Sequence, residues 1–143
     1  MDISVFHEPL LLLKVPQKVS HHEQSVGTLI VDGWGTKYIK GLLNVTTTLV
    51  LKNGIVEVSA NDGLNLTKDA IVTGGSPESY IDGALTVEGT GYKFFPVGKN
   101  GTYAPLEFTN VQGQEAQYCV EVFENAPTIS IEDVIVKDAL YWR

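Results

Sequence analysis

Gly27-Thr-Leu29-Ile-Val31, Gly41-Leu-Leu43-Asn-Val45, Gly54-Ile-Val56-Glu-Val58, Lys68-Asp-Ala70-Ile-Val72 and Gly83-Ala-Leu85-Thr-Val87 are the stretches that decide the fold. Each sets apolar residues two and four positions after its first residue, and the starts are 14, 13, 14 and 15 residues apart. An apolar residue at every second position is the period of a half-buried strand, because side chains alternate across a pleated backbone. The pattern therefore predicts stacked short strands. A β-solenoid with two short strands per coil is preferred over a meander of hairpins, since strands of like length and phase stack like side chains in register.

Between these strands lie further apolar pieces, Thr36-Lys-Tyr-Ile39, Thr48-Leu-Val-Leu51, Leu64-Asn-Leu66 and Tyr80-Ile81. Turn dipeptides separate them: Asp32-Gly33, Asn53-Gly54, Asp62-Gly63 and Asp82-Gly83. Such pairs tolerate positive φ and reverse or bend a chain within two residues. Helix signals are nearly absent, and runs such as Thr46-Thr-Thr48 are β-branched.

Residues 1–26 read as an N-terminal segment, a strand at Leu10 to Val15 and then a polar loop from Pro16. Residues 27–88 form the repeat region. Residues 89–143 read as an antiparallel region, with strands at 102–109, 116–124 and 128–136, all within one continuous domain. The fold class expected is thus all-β, a β-solenoid-like repeat stack passing into an antiparallel sandwich-like half.

Composition narrows the partners. The chain of 143 residues suits one domain with a real core. Its net charge of −7 repels phosphate backbones, which argues against nucleic acid and anionic membrane. The longest apolar run, Leu10 to Leu13, is too short for a bilayer span or a signal-peptide core. The aromatic ending Leu140-Tyr-Trp-Arg143 favours an excised piece of a longer polypeptide over a cytoplasmic chain. Cys119 is a lone cysteine in an apolar segment and reads as a small core residue.

Reactive constellations do not assemble. Gly91 to Lys99 has six residues between its glycines and Asn100 after the lysine, so it is not a phosphate loop. Gly74-Gly-Ser-Pro-Glu-Ser79 is a loop, because Pro77 forbids the helix that a nucleophile elbow needs. His21-His22-Glu23 alternates across an extended backbone and is a poor metal cluster. Asp32, Asp62 and Asp82 are spaced unevenly for calcium-binding corners, and turn geometry alone selects them. No catalytic residue, metal site or cofactor is called for. The acids Glu57, Asp62, Asp69, Asp82, Glu88, Glu107 and Glu121 read as a solvated face rather than as the converging pair of a glycoside hydrolase.

Aromatic residues are the binding candidates. Trp34 sits in Asp-Gly-Trp-Gly, where flanking glycines leave its ring uncovered, and Tyr38 follows four residues on. Exposed rings stack on sugar faces or anchor a protein partner; capping the end of the stack is the competing role for Trp34.

Three separated pieces in order carry a resemblance: Ser79-Tyr-Ile-Asp-Gly83, Phe95-Pro-Val-Gly98 and Tyr103-Ala-Pro-Leu106. With the closing Tyr141-Trp142-Arg143, residues 41 to 143 resemble a β-rich module of large secreted and cell-surface proteins of Bacteroidota exported by the type IX route. The resemblance implies a non-catalytic structural or adhesive segment at the cell surface or outside the cell. Its partners would be neighbouring domains of the same polypeptide, and a glycan or another surface protein. A carbohydrate-binding module using Trp34 and Tyr38, and a fragment of a polysaccharide-degrading enzyme, are the alternatives.

Overall fold

The computed structural model describes residues 2–3, 10–14, 18–113, 116–124 and 141–142. The strand expected at 128–136 lies outside these residues. Among the described residues every regular element is a strand: β1 (Asp2–Ile3), β2 (Leu10–Leu13), β3 (Lys18–Val58), β4 (Gly63–Leu66), β5 (Ile71–Gly74), β6 (Ile81–Gly83), β7 (Leu85–Glu88), β8 (Gly91–Phe95), β9 (Val97–Lys99), β10 (Thr102–Tyr103), β11 (Leu106–Val111), β12 (Gln117–Val120), β13 (Val122–Phe123) and β14 (Tyr141–Trp142). The molecule is all-β, a β-solenoid-like stack joined to antiparallel strands.

β3 is one unbroken run of ladder-bonded backbone that bends at corners. Glycines at φ 143°, 80°, 85° and 98° make the bends, at Gly33, Gly35, Gly41 and Gly54 respectively. Three consecutive pieces of β3 pair in parallel with three different later strands. Leu42–Val45 pairs with β4 at an offset of 63 − 42 = 21 residues, Thr48–Leu51 with β5 at 71 − 48 = 23, and Val56–Val58 with β6 at 81 − 56 = 25. A coil therefore has three walls, not two. Each wall with its corner takes about seven residues, so the 14-residue sequence spacing marks every second wall. Gly27–Val31, Gly41–Val45 and Gly54–Val58 lie on three different walls, and the intervening apolar pieces fill the walls that the spacing skips.

The parallel stack reaches further than residues 27–88. Upstream, β1 pairs with Lys18–Val19 and β2 with Thr28–Val31. Residues 18–25, expected as a polar loop, belong to strand β3; pairing such as that of Lys18–Val19 with β1 uses the backbone, which can be held extended whatever its side-chain polarity. Downstream, β6 pairs in parallel with β9.

Inward positions are almost wholly aliphatic. Leu13, Leu29, Val31, Leu43, Val45, Leu49, Val56, Leu64, Leu66, Ile81 and Leu85 form one continuous buried cluster. Full burial of each such side chain is worth about 1.5–3 kcal/mol. The antiparallel strands close over this stack. β12 pairs antiparallel with β7, and β11 with β8. Phe108 of β11 meets Phe95 and Tyr118 edge-on, each with ring centroids 5.2 Å apart. Val120 and Val122 are buried, but Cys119, expected as a small core residue, is exposed. It lies opposite Thr86 across the β12–β7 pair, on the outer face of that sheet.

Candidate functional site

The corners between walls stack on one another and make the most distinctive surface of the molecule. Gly54 donates its N–H to the Glu78 carbonyl (2.8 Å), and the buried Ser79 hydroxyl donates to the Gly54 carbonyl (3.1 Å). A side chain on Gly54 would collide with the Gly33 and Gly35 carbonyls and with the Lys37 ammonium. Three successive corners, at 33–35, 54 and 76–79, are thereby fixed in line.

Lys37 explains the shape of the first of them. Its side chain is fully buried, and its ammonium donates to the carbonyl oxygens of Gly33, Trp34 (2.9 Å) and Gly35 (3.1 Å). Burial pushes its pKa below the ordinary lysine value, and the Asp32 charge partly opposes this. An ammonium inside an aliphatic stack is costly unless it is hydrogen-bonded, and three carbonyls that a tight corner points inward supply the acceptors. The alternation of Lys37 with Tyr38 and Ile39 sends Lys37 and Ile39 inward and Tyr38 outward. In the sequence Lys37 passes for an ordinary strand residue. The only signal is its inward phase with Ile39.

Held by this clamp, Trp34 projects from the stack with 70 % of its surface exposed. It does not cap the core. It stands at one end of an open cleft of about 460 Å³ lined also by Thr36, Asn53, Glu57, Glu78 and Asp82. Tyr38 is 39 % exposed and is not among the residues that line the cleft. The loop of Pro77 and Glu78, rejected as a nucleophile elbow, contributes instead to the cleft wall.

The aspartates of the Asp–Gly turns serve the scaffold. Asp62 accepts from Lys40 (3.3 Å) and from the Gly41 N–H (2.7 Å). Asp82 accepts from Lys99 (2.9 Å) and from the Asn100 N–H (3.1 Å). Asp32 makes a looser pair with Lys52 at 3.7 Å. The hydrogen bond to Asp82 raises the Lys99 pKa above its ordinary value, against the effect of burial. Among the described residues no three of His, Cys, Asp and Glu are grouped to hold a metal ion. The side chains of His21 and His22 lie outside the described part. Among the described residues no helix is long and apolar enough to cross a membrane.

The pieces that carried the resemblance meet in space. β6 lies beside β9, which pairs with β10. The Tyr80 ring lies 6.1 Å from the Tyr103 ring, and its hydroxyl accepts the Gly101 N–H (2.8 Å). A Cβ on Gly98 would fall 2.7 Å from two Tyr80 ring carbons, so glycine is what lets the ring lie flat there. No family model, curated protein or solved structure matches the chain significantly.

Proposed function

We propose that the chain is a non-catalytic structural or adhesive module of a larger bacterial cell-surface or secreted protein. The observation that carries this reading is the three-walled parallel ladder running from β1 to β9 around a shared aliphatic interior. A stack of that kind resists bending, because each coil is hydrogen-bonded along its walls to the next, and it sets a fixed distance between whatever adjoins its ends. Asp62 and Asp82 are engaged by lysines and backbone amides, which suits a scaffold better than acid–base chemistry. Tyr80, Gly98 and Tyr103, from the pieces that carry the resemblance to the Bacteroidota surface module, pack into one local unit that adds to the scaffold.

Protease treatment of intact source cells tests the reading. The chain should be cut on intact cells, and purified chain should release no reducing ends from acidic or neutral polysaccharides. Protection in intact cells with cutting only after lysis, or sustained sugar release, would overturn it.

A second reading, carbohydrate binding, is favoured by one feature: the uncovered Trp34 ring on an open cleft that mixes apolar and polar side chains. It is compatible with the first, since adhesion needs a contact surface.

A further inference from the structure

We propose that the Trp34 cleft takes an extended saccharide chain bearing protonated amines, an amino-sugar oligomer, laid along the stacking direction. This rests on the carbohydrate-binding reading and adds the charge class and the orientation of the ligand.

Orientation follows from the corners. The lining comes from successive coils, with Trp34 and Thr36 on one, Asn53 and Glu57 on the next and Glu78 and Asp82 on the third. Paired strands repeat at about 4.8 Å, so equivalent groups recur along the cleft at that interval. An extended β-linked pyranose chain repeats its ring at a similar distance. A ligand crossing the coils would meet a fresh set of polar groups with each ring, after stacking one ring on the indole.

Charge class follows from what lines the cleft. Three carboxylates, of Glu57, Glu78 and Asp82, face it, and no lysine, arginine or histidine does. Asp82 is committed to Lys99, whose charge Glu57 also feels, so Glu78, exposed on the third coil, is the carboxylate freest to meet an ammonium group, with Glu57 beside it. A uronate, sulfate or phosphate chain would meet repulsion here, in a molecule already at −7. A basic peptide is the less suitable cation. Peptides gain affinity in shallow clefts by adding a strand to a free edge, and the corner amide and carbonyl of Gly54 are already bonded to Glu78 and Ser79. The rest of the lining mixes the flat Trp34 ring and the apolar Ile55 and Pro77 with the Asn53 and Asn100 amides and the Thr36 hydroxyl, which suits rings that have an apolar face and a hydroxyl- and amine-bearing edge.

Calorimetric titration of the full chain with a glucosamine tetramer, its fully N-acetylated counterpart, a galacturonate tetramer and tetralysine tests the proposal. The glucosamine tetramer should bind about tenfold or more tighter than the acetylated one, and more weakly as salt is raised. Glu57→Gln with Glu78→Gln should remove that preference, and Trp34→Ala should remove binding to both sugars while the thermal midpoint stays near that of the parent. Equal binding of both sugars, indifferent to the glutamine changes, overturns the charge class and leaves saccharide binding standing. Preference for the galacturonate also overturns the charge class. Binding of no sugar, or of tetralysine alone, overturns the saccharide reading itself.

Discussion

Asn65 donates its side-chain amide to the Asn44 side-chain oxygen at 3.0 Å, from the coil that follows to the coil that precedes it. The two residues are Cα partners in the parallel pair of Leu42–Val45 with β4, so the contact marks the register between coils. The same amide reaches forward to the Glu88 carboxylate at 2.9 Å. One side chain thus ties three coils on the outer surface of a wall, while Leu43, Leu64 and Leu85 stack inside it.

Replacing Asn65 tests this tie. Asn65→Asp removes both donated hydrogen bonds and sets a carboxylate against Glu88, and should cost about 1–3 kcal/mol in urea unfolding near neutral pH. The loss should shrink in acid, where protonation of the carboxyls relieves the repulsion. A variant as stable as the parent across pH would remove the ladder from the account.

Lys37 should be among the most sensitive positions. Lys37→Met keeps most of the volume but strands three inward carbonyls, with an expected loss of about 2–4 kcal/mol by chemical denaturation. Trp34 emission should also change, because the corner that presents the indole loses its clamp. Unchanged stability and emission would contradict that role.

Glycines separate two effects. Gly54→Ala places a methyl group against the Gly33 and Gly35 carbonyls at φ 98° and should cost several kcal/mol or prevent folding. Gly101 has a similar φ of 86°, but a methyl group there would meet nothing within 4 Å, so Gly101→Ala should cost only the backbone preference, about 1–2 kcal/mol. Comparable losses at both sites would show that close approach between coils is not the constraint.

Alkaline pH acts on two lysines in opposite senses. Lys99 is raised by its hydrogen bond to Asp82, so its contribution is complete below the unfolded lysine pKa and is lost as pH climbs through the higher folded value. Tyr103, raised by burial and then by Glu107, acts in the same direction. Lys37 is lowered, so stability gains as pH rises through its folded value toward the unfolded one. Unfolding midpoints taken between about pH 8 and 12 should show less alkaline loss in Lys99→Met than in the parent. In Lys37→Met the gain below the unfolded lysine value should be missing. Parallel curves for all three proteins would contradict both assignments.

The sequence made the strands legible because burial enforces alternation, and Leu43-Asn-Val45 and Leu64-Asn-Leu66 could not sit otherwise. It did not reveal the number of walls. Strand periodicity records which face of a segment is inward but not the angle at which the chain turns at Gly33 or Gly41, and that angle separates two walls from three. Polar residues 18–25 hid a strand for a related reason: ladder bonding uses the backbone, which leaves no mark on side-chain pattern. Trp34 was legible as an exposed ring from its flanking glycines. Glu57 and Glu78 were not legible as its neighbours, because they reach the cleft from other coils, and Lys37 was hidden by the expectation that charge faces water.

Backbone proximity between coils tests the stacked parallel architecture, and nuclear Overhauser contacts in isotopically labelled protein report it. Parallel cross-strand contacts are expected between Leu43 and Leu64, between Leu49 and Val72, and between Leu64 and Leu85. Antiparallel contacts joining Gly27–Val31 to Gly41–Val45, the signature of a hairpin meander, would contradict it.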